Sequence, residues 1–334
     1  MRILHLTHPS LIPPEDTSEL DDKQLNVLKT DMDVLNALDV LGHQVLSVGV
    51  EDELRPIRSA VRSFKPHVVF NLVEAFAGLP ELDAHVVSYL ELLGIPYTGC
   101  NPRGLVLARG KALSKKLLHY HRIRTPLFKV FARGKKVSLT RNLPLPLIVK
   151  SLAEESSIGI SQASLVDSEE KLVERVRFMH ESVGTDAIAE QFIEGREIYQ
   201  GIIGNRRLEI FPPWELDFGD LPPGSATIAT EAVKHDIEYQ ERRGIDHAPA
   251  KGLDEDVIRK IGHTTKRIYR ILELDGYARI DYRLADDGQL YFLEANPNPE
   301  IAVTEEFATA ALAYGLEYEA LIQRLLNLAK ARRR

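Results

Sequence analysis

Apolar and polar positions in residues 1–98 alternate between short apolar runs and helical stripes. Residues 2–6 and Val45–Val48 read as buried strands, and between them Leu25, Leu28, Met32, Leu35 and Leu38 recur at helical spacing until Gly42 stops the pattern. A second helix is predicted from Glu51 to Phe64, ending at Pro66, and His67–Leu72 is a β-branched strand. Glu81–Leu93 predicts a third helix, leading to Ile95-Pro96-Tyr97-Thr98 as a fourth strand. This β-α-β-α-β-α-β order predicts a parallel sheet covered by helices. Ligands of such sheets bind beyond the carboxyl ends of the strands, which marks Thr7-His8-Pro9 and the Asn71–Gly78 stretch with its Glu74. Glu74 there either holds a substrate ammonium or is solvated. No G-x-G-x-x-G follows the first strand, so the dinucleotide fingerprint is absent.

Further on, a helix over 111–122 opens with Lys111 and carries a basic face. Leu147–Lys150 is an apolar strand ending in a lysine, followed by the Ser- and Gly-bearing SLAEESSIGIS and a strand over Gln162–Val166. Such a loop can present N–H and hydroxyl donors to phosphate, with the lysine as a point charge; a polar hairpin is the plainer alternative. A helix over Ser168–Glu181 precedes the strand Ala187–Ile193 and a turn at Glu194–Glu197. Residues 212–252 read as a long, polar, proline-interrupted connection, a length that marks a functional or disordered loop. A helix over Asp254–Leu274 and two amphipathic helices over 303–314 and 318–331 complete the chain.

The stretch from Gly276 to Glu300 stands apart. Two alternating runs, Tyr277–Leu284 and Gln289–Ala295, flank Asp287-Gly288, which predicts a two-residue hairpin turn with positive φ at both positions. The register then sets Asp281 opposite Glu294 and Arg279 opposite Asn296, all four on one face, with Ile280, Phe292 and Leu293 facing a buried side. Opposed carboxylates repel unless a cation lies between them. The hard oxygens of Asp281, Glu294 and Asn296 suit Mg²⁺ (or Mn²⁺), and Arg279 beside them is placed to stabilise an anionic transition state. The alternative is a surface hairpin with solvated charges.

Composition narrows the classes. At 334 residues, 44% hydrophobic and 27% charged, the chain has the make-up of a globular protein, and length alone suggests about two domains. A net charge of −7 argues against nucleic acid as a partner. Cys100 is the single cysteine, which excludes an internal disulfide and fits a reducing compartment. With no apolar run of membrane-span length and prolines interrupting the N-terminal one, a cytoplasmic protein without a membrane partner is expected.

Arg279-Ile280-Asp281, then Leu293-Glu294-Ala295-Asn296 and Pro299, resembles the metal-binding end of the ATP-grasp ligases, particularly those similar to D-alanine–D-alanine ligase. The resemblance runs with gaps from about Ile95. It implies an α/β chain of the ATP-grasp fold: an N-terminal parallel-sheet (Rossmann-like) domain over 1–98 and two α+β subdomains, 99–188 and 189–334, that clasp ATP. By the same resemblance Lys111 and Lys150 contact nucleotide, and Ser156, Ser157 and Gly159 close over the triphosphate, with Ser156 also catalytic. Glu155 departs from the family's usual glycine in that loop. Glu190 would accept from the adenine amine, Gln191, Phe192 and Ile193 would meet the ring edge, and Glu197 would take the ribose hydroxyls. A mobile loop in 212–252 would bring Lys234, or failing it Lys251, to phosphate. The implied activity is that of a carboxylate–amine ligase: ATP phosphorylates a carboxylate, an amine attacks the acyl phosphate, and Arg279 faces the oxyanion. The expected partners are small-molecule carboxylate and amine substrates, and a homodimer is allowed. An ATP-grasp phosphotransferase and a non-catalytic ATP-binding module are the alternatives. His5–Ser10 lacks the glycine-rich segment of D-alanine ligases, Glu300 replaces the glycine after the family's proline, and Glu305 and Glu306 lie where the second substrate's carboxylate would be received. A substrate other than D-alanine is therefore expected.

Overall fold

Apolar runs near the N-terminus become β1 (Arg2–Thr7), β2 (Gln44–Gly49) and β3 (Val68–Asn71), a parallel sheet in the order β2-β1-β3 in a computed structural model that describes residues 1–152 and 159–332. The crossovers are α1 (Asp22–Val40) and α2 (Arg55–Phe64), the first opened by a capping box between Asp21 and Gln24. After α3 (Asp83–Leu93) the expected fourth strand shrinks to a single parallel bridge between Val69 and Tyr97. Pro96 has no N–H to extend the ladder; it accepts from Val69 N while Thr98 N donates to Val69 O, and the chain then leaves the sheet. Two short helices follow, α4 (Pro102–Arg109) and α5 (Lys111–Tyr120). The first was not foreseen, although Asn101-Pro102 is a cap followed by proline at the first helical position.

The middle of the chain forms an antiparallel sheet of β4 (Phe128–Phe131), β5 (Leu147–Ser151), β6 (Leu165–Val166) and β7 (Ala187–Gln191), ordered β4-β7-β5-β6. Leu172 and Val176 of α6 (Glu169–Phe178) pack on Leu147, Val149 and Ala189 of this sheet.

The third sheet holds β8 (Arg196–Ile203), β9 (Glu209–Ile210), β10 (Trp214–Asp217), β11 (Asp246–Pro249), β12 (Tyr277–Leu284) and β13 (Leu290–Pro297). Its order is β11-β10-β8-β12-β13, with β9 paired to β8. The helices of this part are α7 (Glu231–His235), α8 (Ile237–Arg243), α9 (Glu255–Ile271), α10 (Glu306–Ala313) and α11 (Tyr318–Ala331). One face of the sheet buries Ile198, Ile280, Tyr282 and Phe292 against Ile261 and Ile268 of α9. Helix α11 returns to the N-terminal sheet, where Ile322, Leu325 and Leu326 share a core with Ile3, Val34 and Phe70. Among the described residues no helix is long and apolar enough to cross a membrane.

Two expectations about this region are corrected. Residues 194–197 are not simply a turn: Arg196 and Glu197 already pair with Leu284 and Arg283 as the first residues of β8. Gly195, at φ +137°, makes the bend, and a Cβ there would lie 2.2 Å from the Leu284 carbonyl oxygen. Residues 212–252 are not structureless either, for they contain β10, α7, α8 and β11. Their short helices are capped by Thr230 and Asp236, and Trp214 and Leu216 are buried. Polar composition hid elements that tertiary burial and capping hold in place.

The hairpin around Asp287-Gly288 has the expected pairing by a different route. Gly288 N donates to Ala285 O and Ala285 N to Gln289 O, and only Gly288 of the Asp287-Gly288 pair has positive φ. The loop is thus three residues closed by a glycine, which pairs Leu284 with Leu290 and Tyr282 with Phe292. A bulge then inserts Leu293, and beyond it Asp281 faces Glu294 and Arg279 faces Asn296. The bulge also turns Leu293 into the cleft described below instead of the buried side.

Candidate active site

Between the four-stranded and six-stranded sheets lies a solvent-open cleft of about 770 Å³. It brings together Lys111 of α5, Lys150 of β5, Glu190, Gln191, Phe192 and Ile193 at the end of β7, Glu197 of β8, Lys234 of α7, and Asp281 and Glu294 of the hairpin. Gly159 stands next to Ile160 of the lining, its φ of +70° and its N–H donated to Glu231 Oε2. Arg279 and Asn296 share the sheet face of Asp281 and Glu294. Glu155, Ser156 and Ser157 lie outside the described residues.

At the floor, Glu190 is buried between two lysines. Lys115 Nζ is 2.9 Å from Oε1 and Lys150 Nζ 3.5 Å from Oε2. Burial pushes the Glu190 carboxyl up, but Lys115 and Lys150 outweigh it and hold the group below the usual carboxylate range. Lys115 also donates to the carbonyl of the bulged Leu293 and lies over the Phe292 ring, 5.5 Å from its centroid. Sequence reasoning missed Lys115; the signal available was its place one turn beyond Lys111 on the same helix face. Arg283, also missed, donates to Glu197 Oε2 at 2.8 Å, and Tyr199 donates its hydroxyl to Glu197 Oε1 at 3.0 Å. Both oxygens of Glu197 are thereby oriented at the cleft wall.

The hairpin end is the most charged part. Arg279 binds Asp281 through two parallel bonds, Nε to Oδ1 at 2.8 Å and Nη2 to Oδ2 at 2.9 Å, and Asn296 Nδ2 donates to the same Oδ2. Its remaining nitrogen, Nη1, pairs with Glu306 at the start of α10. Burial, with the Glu294 charge opposite, moves the Asp281 carboxyl up to about 6 despite Arg279. Burial acts likewise on Glu294, but Lys111, Lys234, Lys150 and Lys115 prevail and hold it at about 2. Among the described residues no cluster of three or more His, Cys, Asp or Glu side chains forms a ready-made metal cage. Two facing carboxylates and an amide oxygen fit Mg²⁺, which takes one or two carboxylates and shares its other positions with phosphate and water.

Glu306 carries a pH-dependent prediction. Burial raises its carboxyl, yet Arg279 outweighs that and brings it to about 2. A depressed folded-state pKa contributes stability above the unfolded value of 4.5 and loses it as pH falls toward about 2. The stability gap between wild type and Glu306→Gln, up to about 3 kcal/mol at neutral pH, should close over that window in urea titrations. A gap independent of pH would contradict the assignment.

Around the mouth, Lys29 of α1 reaches Glu305 at 2.5 Å and Glu300 at 3.4 Å, and Thr30 donates to Glu300 at 3.1 Å. The acids flagged after the hairpin are therefore engaged, Glu306 by Arg279 and the other two by a lysine from the N-terminal sheet's helix. Burial and the neighbouring Glu300 push Glu305 up to about 7.

The profile of the family described as D-ala D-ala ligase C-terminus matches residues 117–327. The chain belongs to the D-alanine–D-alanine ligase family. It is 33% identical to a D-alanine–D-alanine ligase of Nitratidesulfovibrio vulgaris over 84% of this chain and 90% of the relative. Identity to the enzyme of Moorella thermoacetica is 29%, over 90% and 94%. Superposed on a D-alanine–D-alanine ligase of Bacillus anthracis complexed with ATP, this ligase gives a TM-score of 0.73 at 20% identity, covering 98% of this chain and 97% of that one. The fold is therefore the ATP-grasp fold, and the protein is an ATP-dependent ligase that forms C–N bonds.

Proposed function

We propose that this ligase forms an amide or peptide bond through an acyl phosphate, releasing ADP and phosphate, with an amine-side substrate that either lacks a free α-carboxylate or carries positive charge. The observation that carries the substrate reading is that the cations nearest the amine side are already matched: Arg279 by Asp281 and Glu306, Lys29 by Glu300 and Glu305. Two like charges 4 Å apart cost about 4 kcal/mol at an effective dielectric near 20. A substrate carboxylate placed among these acids would lose more than several hydrogen bonds of about 1 kcal/mol each return.

In this reading Lys111, Lys150 and Lys234 receive the triphosphate, together with Ser156, Ser157 and Gly159, while Glu190 through Ile193 meet the adenine and Glu197 the ribose. Asp281, Glu294 and Asn296 hold Mg²⁺, which when bound neutralises charge on the β- and γ-phosphates. Arg279, fixed by its two carboxylates, presents its guanidinium to the oxyanion that forms as the amine attacks.

A screen of amino acids and amines for ADP release with Mg²⁺-ATP tests this. Acceptors that are cationic, or have no α-carboxylate, should give the highest kcat/KM. Should D-alanine prove the best acceptor, with Glu305→Ser leaving its KM unchanged, the acidic-site reading is wrong.

A further inference from the structure

An ammonium substrate must shed a proton before it can attack, and the reading above leaves that proton without an acceptor. The acidic groups at the centre are engaged by cations, which leaves the histidines to consider. Three of them are hydrogen-bonded parts of the framework: His5 sits between Asp31 and Ser47, His43 meets Gln323, and His180 meets the Phe131 carbonyl. His247 differs. It is half-buried on β11, opposite Leu216, and its ring nitrogens make no hydrogen bond to a described residue.

Its ring faces that of Tyr199, centroids 5.6 Å apart, and the Arg279 guanidinium lies 4.7 Å from the same Tyr199 ring. The charged groups that act on it are Glu306 from α10, Arg279 from β12, Lys234 from α7 and the adjacent Asp246. Three of these four belong to the charged set around the reacting carbonyl as assigned above. We infer that His247 is the general base of the amide-forming step, a role that rests on the ligase reading. Burial lowers its pKa from the ordinary 6.5, so the imidazole is neutral and able to accept at pH 7.

An R–NH₃⁺ substrate loses one proton to the imidazole, and its freed lone pair forms the C–N bond to the acyl carbon. The C–O bond to phosphate breaks, and its electron pair leaves with the phosphate. The second N–H proton goes to that phosphate as HPO₄²⁻, and the imidazolium returns its proton to water.

Hydroxylamine separates this role from packing, because it is already unprotonated at neutral pH and traps an acyl phosphate without a base. A panel of amino acids with Mg²⁺-ATP and hydroxylamine identifies the carboxylate donor by hydroxamate formation, and an amine acceptor is then supplied to that donor. In His247→Gln and in His247→Phe, which keeps a ring against Tyr199, amide formation should fall about 10²- to 10³-fold. Hydroxamate formation should stay within about threefold of wild type, and the acid limb of kcat/KM should disappear. Failure of every donor to give hydroxamate with the wild-type enzyme overturns the ligase reading, and this role with it. Hydroxamate formation with amide rates unchanged in both variants overturns the role of His247 alone, as does a parallel fall of both products.

Discussion

Glu294→Lys should abolish the magnesium dependence of nucleotide binding and weaken Mg²⁺ binding by about three orders of magnitude. Four lysines, Lys111, Lys234, Lys150 and Lys115, act on the Glu294 carboxyl and hold it at about 2, so at neutral pH it carries a full charge opposite Asp281. The substitution removes one hard ligand and puts a further cation among those lysines. At an effective dielectric near 20 two like unit charges 4 Å apart cost about 4 kcal/mol, so a lysine ammonium in place of the Glu294 carboxylate would lower Mg²⁺ affinity by roughly 10³. Calorimetry with and without Mg²⁺ reads the effect directly. Equal ATP affinity in both conditions for wild type, unchanged in Glu294→Lys, would remove the metal assignment. Asp281→Asn should lose the magnesium dependence too, and it would also free Arg279 from its bidentate partner, so a loss of turnover there exceeds the loss of binding.

The hairpin shows how far sequence carries and where it stops. Alternation alone put Asp281, Glu294, Arg279 and Asn296 on one face, because two-residue periodicity is a local property. The turn was misread as two residues with two positive φ angles, and the compensating insertion of Leu293 restored the register. A bulge has no local signature here: it is fixed by Phe292 N donating to Arg124 O and by Lys115 at the Leu293 carbonyl, both far away in sequence. Lys111, Lys150, Glu190, Glu197 and Lys234 were legible through a family pattern, whereas Lys115 and Arg283, which pair with Glu190 and Glu197, were not. Tyr199 and Arg283 become visible only when β8 and β12 are brought together, and Glu306, an acid the sequence already marked, meets Arg279 only when α10 packs beside β12. The same holds for 212–252, where polar composition suggested an irregular loop and Trp214 and Leu216 nevertheless complete a sheet.

Lys29 acts far from its own position in the sequence. On α1 it is an ordinary helix lysine, yet α1 shares a core with α11 and faces the segment after the hairpin. Asp33 of the same helix accepts from Val303 N at 2.8 Å, so one helix of the N-terminal sheet fixes both the backbone and the charges of the 300–305 segment. The segment proposed to receive the amine is therefore held jointly by α1 and by the residues that follow the hairpin.

Lys115→Met should be the most destabilising single substitution in the cleft, at about 3–5 kcal/mol. Its ammonium and the Glu190 carboxylate are both buried, and removing one leaves the other to bear its desolvation with only Lys150, at 3.5 Å, in reach. The cost lies in the stranded charge rather than in lost packing, since methionine fills nearly the same volume. Adding Glu190→Leu should then recover most of the loss, because an apolar pair of similar size replaces a buried ion pair at little or no penalty. A urea-unfolding double-mutant cycle measures this coupling. The functional consequence differs from the energetic one: without Lys115 the Leu293 carbonyl loses its donor at the bulge that presents Glu294. The stable double variant, which also lacks the Glu190 carboxylate proposed to meet the adenine, should bind Mg²⁺-ATP more weakly than wild type. Additive destabilisation, with no coupling between the two positions, would show that Lys115 and Glu190 are not an ion pair in solution.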